Sequence, residues 1–266
     1  MQKPIITKLK AVQKTKPEFY IQDFLPIPKS AITMLSASGG SGKTFLSIQL
    51  ALQLVKNLPN SKVLLWLSED DKGIVKHRTE LIINSILDDS FSIENIDIID
   101  DMPYHLDINN FNDYKDIFAP YNLVIIDPLI AFYGGQENDN SQARYFMNLL
   151  NKIARTNLQS ILIIHHSTKA TKEQESRTRG ASAFVDAVRL SYEITNIENE
   201  TSIKRINIIK DNYGVSKIIN ADFKDIKILP FDSSYVKVEY EDNIPRDKYG
   251  VPYSETNKAR SVMEFI

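Results

Sequence analysis

The segment from Ser36 to Thr44 constrains this chain more than any other. It reads Ser36-Ala37-Ser38-Gly39-Gly40-Ser41-Gly42-Lys43-Thr44, and three of the chain's nine glycines fall within four positions of it. A strand-like run, Ala31-Ile32-Thr33-Met34-Leu35, leads in, and an apolar helical run from Phe45 to Val55 leads out. Strand, glycine-rich loop and helix in that order make a phosphate-binding P-loop. Ser38, Gly39, Gly40, Ser41 and Gly42 turn successive backbone N–H groups toward one anion, and the helix start adds its positive dipole end. Lys43 is placed to reach the β- and γ-phosphates, and the Thr44 hydroxyl to ligate magnesium. The expectation is a chain that binds and hydrolyses a nucleoside triphosphate with Mg²⁺.

One position departs from the pattern. The usual G-x-x-x-x-G-K-[ST] spacing wants glycine at position 37, where this chain has Ala37. Alanine does not adopt a positive φ cheaply. Either the loop enters by a different turn, or that position never needs a positive φ.

At 266 residues the chain can bury a sizeable core as one large α/β domain. A net charge of -2 gives no global attraction to nucleic acid, so any such binding must come from local basic patches. The absence of cysteine excludes disulfides, thiolate zinc sites and a cysteine nucleophile, and fits a reducing cytosol. No apolar run approaches the ~18 residues of a membrane span, and the lysine-dotted start has no signal-peptide core. A cytoplasmic protein is the expectation.

Residues 1–30 read as a basic, irregular lead-in with Lys3, Lys8, Lys10, Lys14 and Lys16, broken at Pro26 and Pro28. Strands then alternate with helices. Val63–Leu67 is a continuous apolar run ending in Ser68-Glu69-Asp70-Asp71, a helix-start signature, with a helix to about Leu87. Residues 91–99 read as a strand and 110–119 as a short helix. Leu123–Asp127 is a third buried strand, Ser141 to Arg155 a helix, and Ile161–Ile164 a fourth buried strand. The alternation predicts an α/β fold, a mostly parallel, doubly wound sheet with helices on both faces. After residue 190, period-two segments at 203–210 and 235–240 predict an antiparallel β extension. The predicted organisation is an ATPase domain over 31–242, with a polar tail at 243–266.

Further chemistry collects at strand ends. Asp127 closes an apolar run and offers the carboxylate that holds magnesium through water; its plainer reading is a strand cap. Pro128 follows it, so the water-activating carboxylate must come from elsewhere. Glu69, at the end of the first strand after the P-loop helix, is the candidate, with Asp70 as the alternative and an ordinary N-cap cluster as the plain reading. Of His165 and His166, which point to opposite faces, His166 reads as the γ-phosphate sensor and His165 as a packed core residue. The loop from Lys169 to Gly180 carries Lys169, Lys172, Arg177 and Arg179 against Glu173 and Glu175. It is either a contact for a nucleic-acid backbone or a solvated loop. Phe132-Tyr133-Gly134-Gly135-Gln136 either brings aromatic groups to the same rim or packs Tyr133 inside.

Taken together, the P-loop, Leu67-Ser68-Glu69-Asp70 followed by Lys76-His77-Arg78, and Val124-Ile125-Ile126-Asp127 make a familiar set. So do Ile163-Ile164-His165-His166-Ser167-Thr168-Lys169, the run Arg179 to Arg189, and Lys210-Asp211-Asn212-Tyr213-Gly214. Over roughly residues 28–215 the chain resembles the RepA-type hexameric plasmid replicative helicases, a RecA-like family in the group that includes DnaB and, in the broad sense, the AAA ATPases. The resemblance implies a RecA-like fold and ATP-driven 5′-to-3′ unwinding of DNA by a ring of six subunits, with ATP held between neighbours. It implies that Lys43 and Thr44 bind phosphate and magnesium, that Glu69 is the catalytic base and Asp127 the magnesium-side carboxylate. It implies that His166 couples the γ-phosphate to a DNA-facing loop, and that Arg189 is an arginine finger for the neighbouring subunit. Arg78 is a further phosphate-side arginine. Where DnaB-type enzymes have K-x-R-N-G, this chain has Lys210-Asp211-Asn212-Tyr213-Gly214; the arginine is absent there, and Lys210 remains as a second cation. Single-stranded DNA is the implied partner, with a replication initiator or primase beside it. A nucleotide-gated DNA-binding or regulatory ATPase that does not unwind is the alternative.

Overall fold

The computed structural model describes residues 6–86, 91–136, 139–166 and 182–229. A 3-10 turn at Leu9–Ala11 is exposed, and two short strands follow, β1 (Phe19–Tyr20) and β2 (Ile27–Pro28), paired antiparallel. Within the lead-in expected to be irregular, this hairpin is packed: Tyr20, Ile21, Leu25 and Ile27 are all buried in the main core. A two-residue strand has no readable period, so burial rather than pattern marks it.

The chain then runs β3 (Ile32–Ala37), α1 (Lys43–Asn57), β4 (Val63–Leu67), α2 (Lys72–Ile86), β5 (Ile96–Ile99), α3 (Phe111–Phe118) and β6 (Leu123–Asp127). It continues with α4 (Leu129–Phe132), α5 (Asn140–Asn157), β7 (Ser160–His166), α6 (Ser182–Ala187), β8 (Leu190–Asn196), β9 (Ile203–Asp211), α7 (Val215–Ile219) and β10 (Phe223–Lys227). Eight strands form one sheet in the order β10-β9-β8-β3-β7-β6-β4-β5. Six are parallel; β9 and β10 run antiparallel at one edge. The mostly parallel α/β architecture and the antiparallel extension are therefore as expected. The strand expected at 235–240, the tail 243–266 and the loop 169–180 lie outside the described residues.

The continuous apolar runs follow from burial on both faces. Leu35, Leu65, Ile125 and Leu162 point into the core under α1 and α2, while Met34, Trp66, Ile126 and Ile163 point to the opposite core, under α3 and α5. β8 was not anticipated as a strand. Leu190, Tyr192 and Ile194 alternate with Ser191 and Glu193, and all five are buried, because β8 sits between β3 and β9.

Trp66 organises the second core. Its ring stacks on Tyr114 at 5.6 Å and meets Phe118 and Phe132 edge-on at 6.3 and 5.1 Å. Its indole N–H donates to the Asp101 carbonyl at 2.8 Å. Phe118 is fully buried, and truncating it leaves a cavity against a ring cluster that cannot collapse. Phe118→Ala is expected to cost about 3–5 kcal/mol of stability, read as a lower urea midpoint at unchanged slope.

Candidate functional site

The parallel register gathers the chemistry on one rim. Ala37, ending β3, pairs with His166, ending β7, and Leu67, ending β4, pairs with Asp127, ending β6. Since β3, β7, β6 and β4 are consecutive in the sheet, the loop after Ala37 shares one carboxyl-end crevice with His166, Asp127 and Glu69. Ligands of open α/β sheets bind in such crevices.

The loop resolves the Ala37 question. Ala37 is the last residue of β3 and fully buried, so that position is extended and never needs a positive φ. The left-handed conformation falls instead at Gly40 (φ 72°) and Gly42 (φ 91°). A Cβ on Gly40 would meet nothing within 4 Å, so glycine is required there for backbone shape, not for space. Gly42 caps α1, and Lys43 begins it. Lys43 is buried, with Nζ donating to the Ser38 carbonyl at 3.0 Å. Burial lowers its pKa, while Asp127 and Glu69 oppose that shift.

Asp127 is buried, and its carboxyl is pushed up to about 6, first by burial and then by the neighbouring Glu69 charge. Its Oδ1, like the Ser41 hydroxyl oxygen, has no hydrogen-bond partner among the described residues. A buried orphan acceptor in a polar crevice is costly unless a ligand completes it. Glu69 lies 3.7 Å from the His166 Nε2. The imidazole beside it, and more weakly Lys43, hold the Glu69 carboxyl below the usual range against the opposing effect of burial. Glu69, Asp127 and His166 bring ligand atoms within 4.8 Å of one another.

Two neighbours separate Glu69 from Asp70 and Asp71. Asp70 pairs with Arg78 at 2.5 Å, and that guanidinium also lies 5.5 Å from the Phe45 ring at the start of α1. Asp71 accepts from the Gly73 N–H at 2.7 Å at the start of α2. Of the three acids, Glu69 is the one whose carboxylate comes within 4.8 Å of both Asp127 and His166. His165, by contrast, is buried with its ring 5.9 Å from Phe184, the packed position expected of it.

The remaining cations lie elsewhere. Arg189 immediately precedes β8, whose first residue pairs with Thr33 near the start of β3. Four residues of strand then separate that level from Ala37, about 13 Å of rise. The Arg189 carbonyl accepts from the Asn212 N–H at 2.9 Å, so the Lys210–Gly214 segment and Arg189 are neighbours. Lys210 directs Nζ to the carbonyls of Val185 and Asp186 at 3.1 and 2.7 Å, at the end of α6. Arg155, which no sequence pattern singles out, comes from the end of α5 to the same wall as Arg189. Lys169, Lys172, Arg177 and Arg179 lie outside the described residues.

Residues 4–172 match the AAA domain family. Among solved structures, the ATPase domain of G40P is similar to this chain with a TM-score of 0.54 at 16% sequence identity, over 74% of this chain and 81% of that one. The RadB recombinase gives a TM-score of 0.49 at 12% identity, over 70% of this chain and 83% of that one. No curated protein matches the chain. At such identities the likeness is one of fold, that of the RecA-like P-loop ATPases. No helix among the described residues is long and apolar enough to cross a membrane.

Proposed function

The chain belongs to the AAA domain family, and from that premise we propose that it is an ATP-driven DNA helicase or translocase of the RepA/DnaB-like hexameric type. The observation that carries this reading is the convergence of the phosphate loop, Glu69, Asp127 and His166 at the ends of four adjacent strands. The loop amides and Lys43 hold the triphosphate. Glu69 accepts a proton from water as the water oxygen bonds to the γ-phosphorus and the bond to the β–γ bridging oxygen breaks, releasing ADP and phosphate. His166, in ion-pair reach of Glu69, links the state of the γ-phosphate to the segment that follows β7.

Magnesium fits the residues present. The Thr44 hydroxyl and the orphaned Asp127 Oδ1 are the hard oxygen donors that this ion prefers, whereas the His166 nitrogen is not. When bound, magnesium neutralises charge on the β- and γ-oxygens. Arg189 is assigned to the triphosphate of a neighbouring copy, Arg78 to the phosphate side of its own site by way of Asp70, and Lys169, Lys172, Arg177 and Arg179 to DNA backbone. The partners are then single-stranded DNA, five further copies in a ring, and a replication initiator or primase.

The test is phosphate release with and without single-stranded DNA at low salt, followed by strand displacement on a forked duplex. DNA is expected to raise turnover several-fold, Lys43→Ala to abolish it, and the fork to open 5′-to-3′. A rate indifferent to DNA removes the motor. Stimulated hydrolysis with no displaced strand favours a nucleotide-gated DNA-binding ATPase instead.

A further inference from the structure

A pocket of about 500 Å³ opens on the rim opposite the phosphate loop. Its walls carry Arg155 from the end of α5, Arg189 ahead of β8, and Lys152, whose ammonium lies 4.8 Å from the centre of the Phe111 ring. Ser30, Asn148, Asn151, Thr156 and Tyr213 complete the polar lining. No carboxylate is among the described residues that line it. The nearest acid on the adjoining strand end, Asp211, is engaged by the N–H groups of Tyr213, Val215 and Ser216 and by the Ser216 hydroxyl. Arg155, Arg189 and Tyr213 line the same hollow, which brings the two arginines to one wall. Two guanidinium side chains lining one concavity with no carboxylate beside them make a site that an anion completes.

The shape and place of the pocket say which anion. A nucleic-acid backbone calls for cations repeated along a track, whereas these converge on one hollow. Within a single chain the pocket cannot reach its own phosphate loop, because the length of β3 stands between them. A second copy stacked head to tail can bring its loop to the pocket with no change of fold.

We propose that Arg155 works beside Arg189 as a second cation, offered to the terminal phosphate held by the P-loop of a second copy of this chain. Lys210 is a positioning residue in this arrangement: its ammonium holds the carbonyls of Val185 and Asp186 at the end of α6, the latter three residues before Arg189. The inference rests on the ATPase reading above and adds to it a residue supplied from α5.

The experiment is a mixing assay with the full chain. Arg155 is exposed, so Arg155→Ala should retain the wild-type circular dichroism and melting curve. Its ATP turnover is expected to fall about a hundredfold, while ATP affinity at dilutions where copies are separate stays at the wild-type value. Arg155→Lys recovers part of the rate. Mixed in equal amounts at dilution with Lys43→Ala and then concentrated, it should regain about a quarter of wild-type turnover, since one contact in four joins an intact loop to an intact pocket. Turnover of Arg155→Ala within twofold of wild type, or a mixture no better than the mean of its two components, overturns the assignment. A wild-type chain with no ATP turnover would remove the ATPase reading itself, before any variant is compared.

Discussion

An Arg189→Ala chain is expected to bind ATP as the wild type does and to turn it over about 10³–10⁵-fold more slowly. The separation of the two effects follows from where the residue sits. Arg189 is exposed at the start of β8, on the rim away from Lys43, Asp127 and Glu69. Its carbonyl accepts from the Asn212 N–H, and alanine keeps that bond. Nothing in the phosphate loop therefore changes. What is lost is charge stabilisation as the γ-phosphoryl leaves, which a guanidinium supplies from outside the site. Calorimetry should give an unaltered ATP affinity, and phosphate release should give the deficit. A mixture with Glu69→Gln should recover part of the rate. If Arg189→Ala turns over ATP normally, the assignment across copies is wrong.

Glu69→Gln is expected to lower turnover by about 10²–10⁴-fold with nucleotide still bound. Glutamine keeps the size of the side chain and can still contact His166, 3.7 Å away in the wild type, but it cannot take a proton. Asp70→Asn is the discriminating control. Its carboxylate is committed to Arg78 at 2.5 Å, so the change should loosen α2 against α1 and cost far less in rate. A larger loss for Asp70→Asn than for Glu69→Gln would transfer the role of base to Asp70. Single-turnover measurement keeps the comparison free of product release.

How far these assignments could be read from the chain alone differs by element. β3, β4, β6 and β7 were legible because strands covered on both faces are largely apolar, and polar residues close β6 and β7. The phosphate loop was legible because its glycines answer a backbone requirement. β8 was not: Ser191 and Glu193 give it an amphipathic look, and its burial comes from neighbours that a linear reading cannot supply. The β1–β2 hairpin is too short for any period. Glu69, Asp70 and Asp71 are chemically alike in sequence, and only their partners, His166, Arg78 and the start of α2, tell them apart. Arg155 and Arg189 share a wall because α5 packs against α6, which leads into β8, a juxtaposition that no local pattern encodes.

Ala37 has a consequence for how chains of this kind are found. The leading glycine of the signature marks a place where, in this fold, β3 simply continues for one more residue, and any side chain small enough for the interior serves. A search string that insists on glycine there discards true relatives for a reason unrelated to anion binding. Requiring glycine at the places of Gly40 and Gly42, where φ is positive, and tolerating any compact residue at the first place would gather such chains without admitting ordinary serine-rich bends.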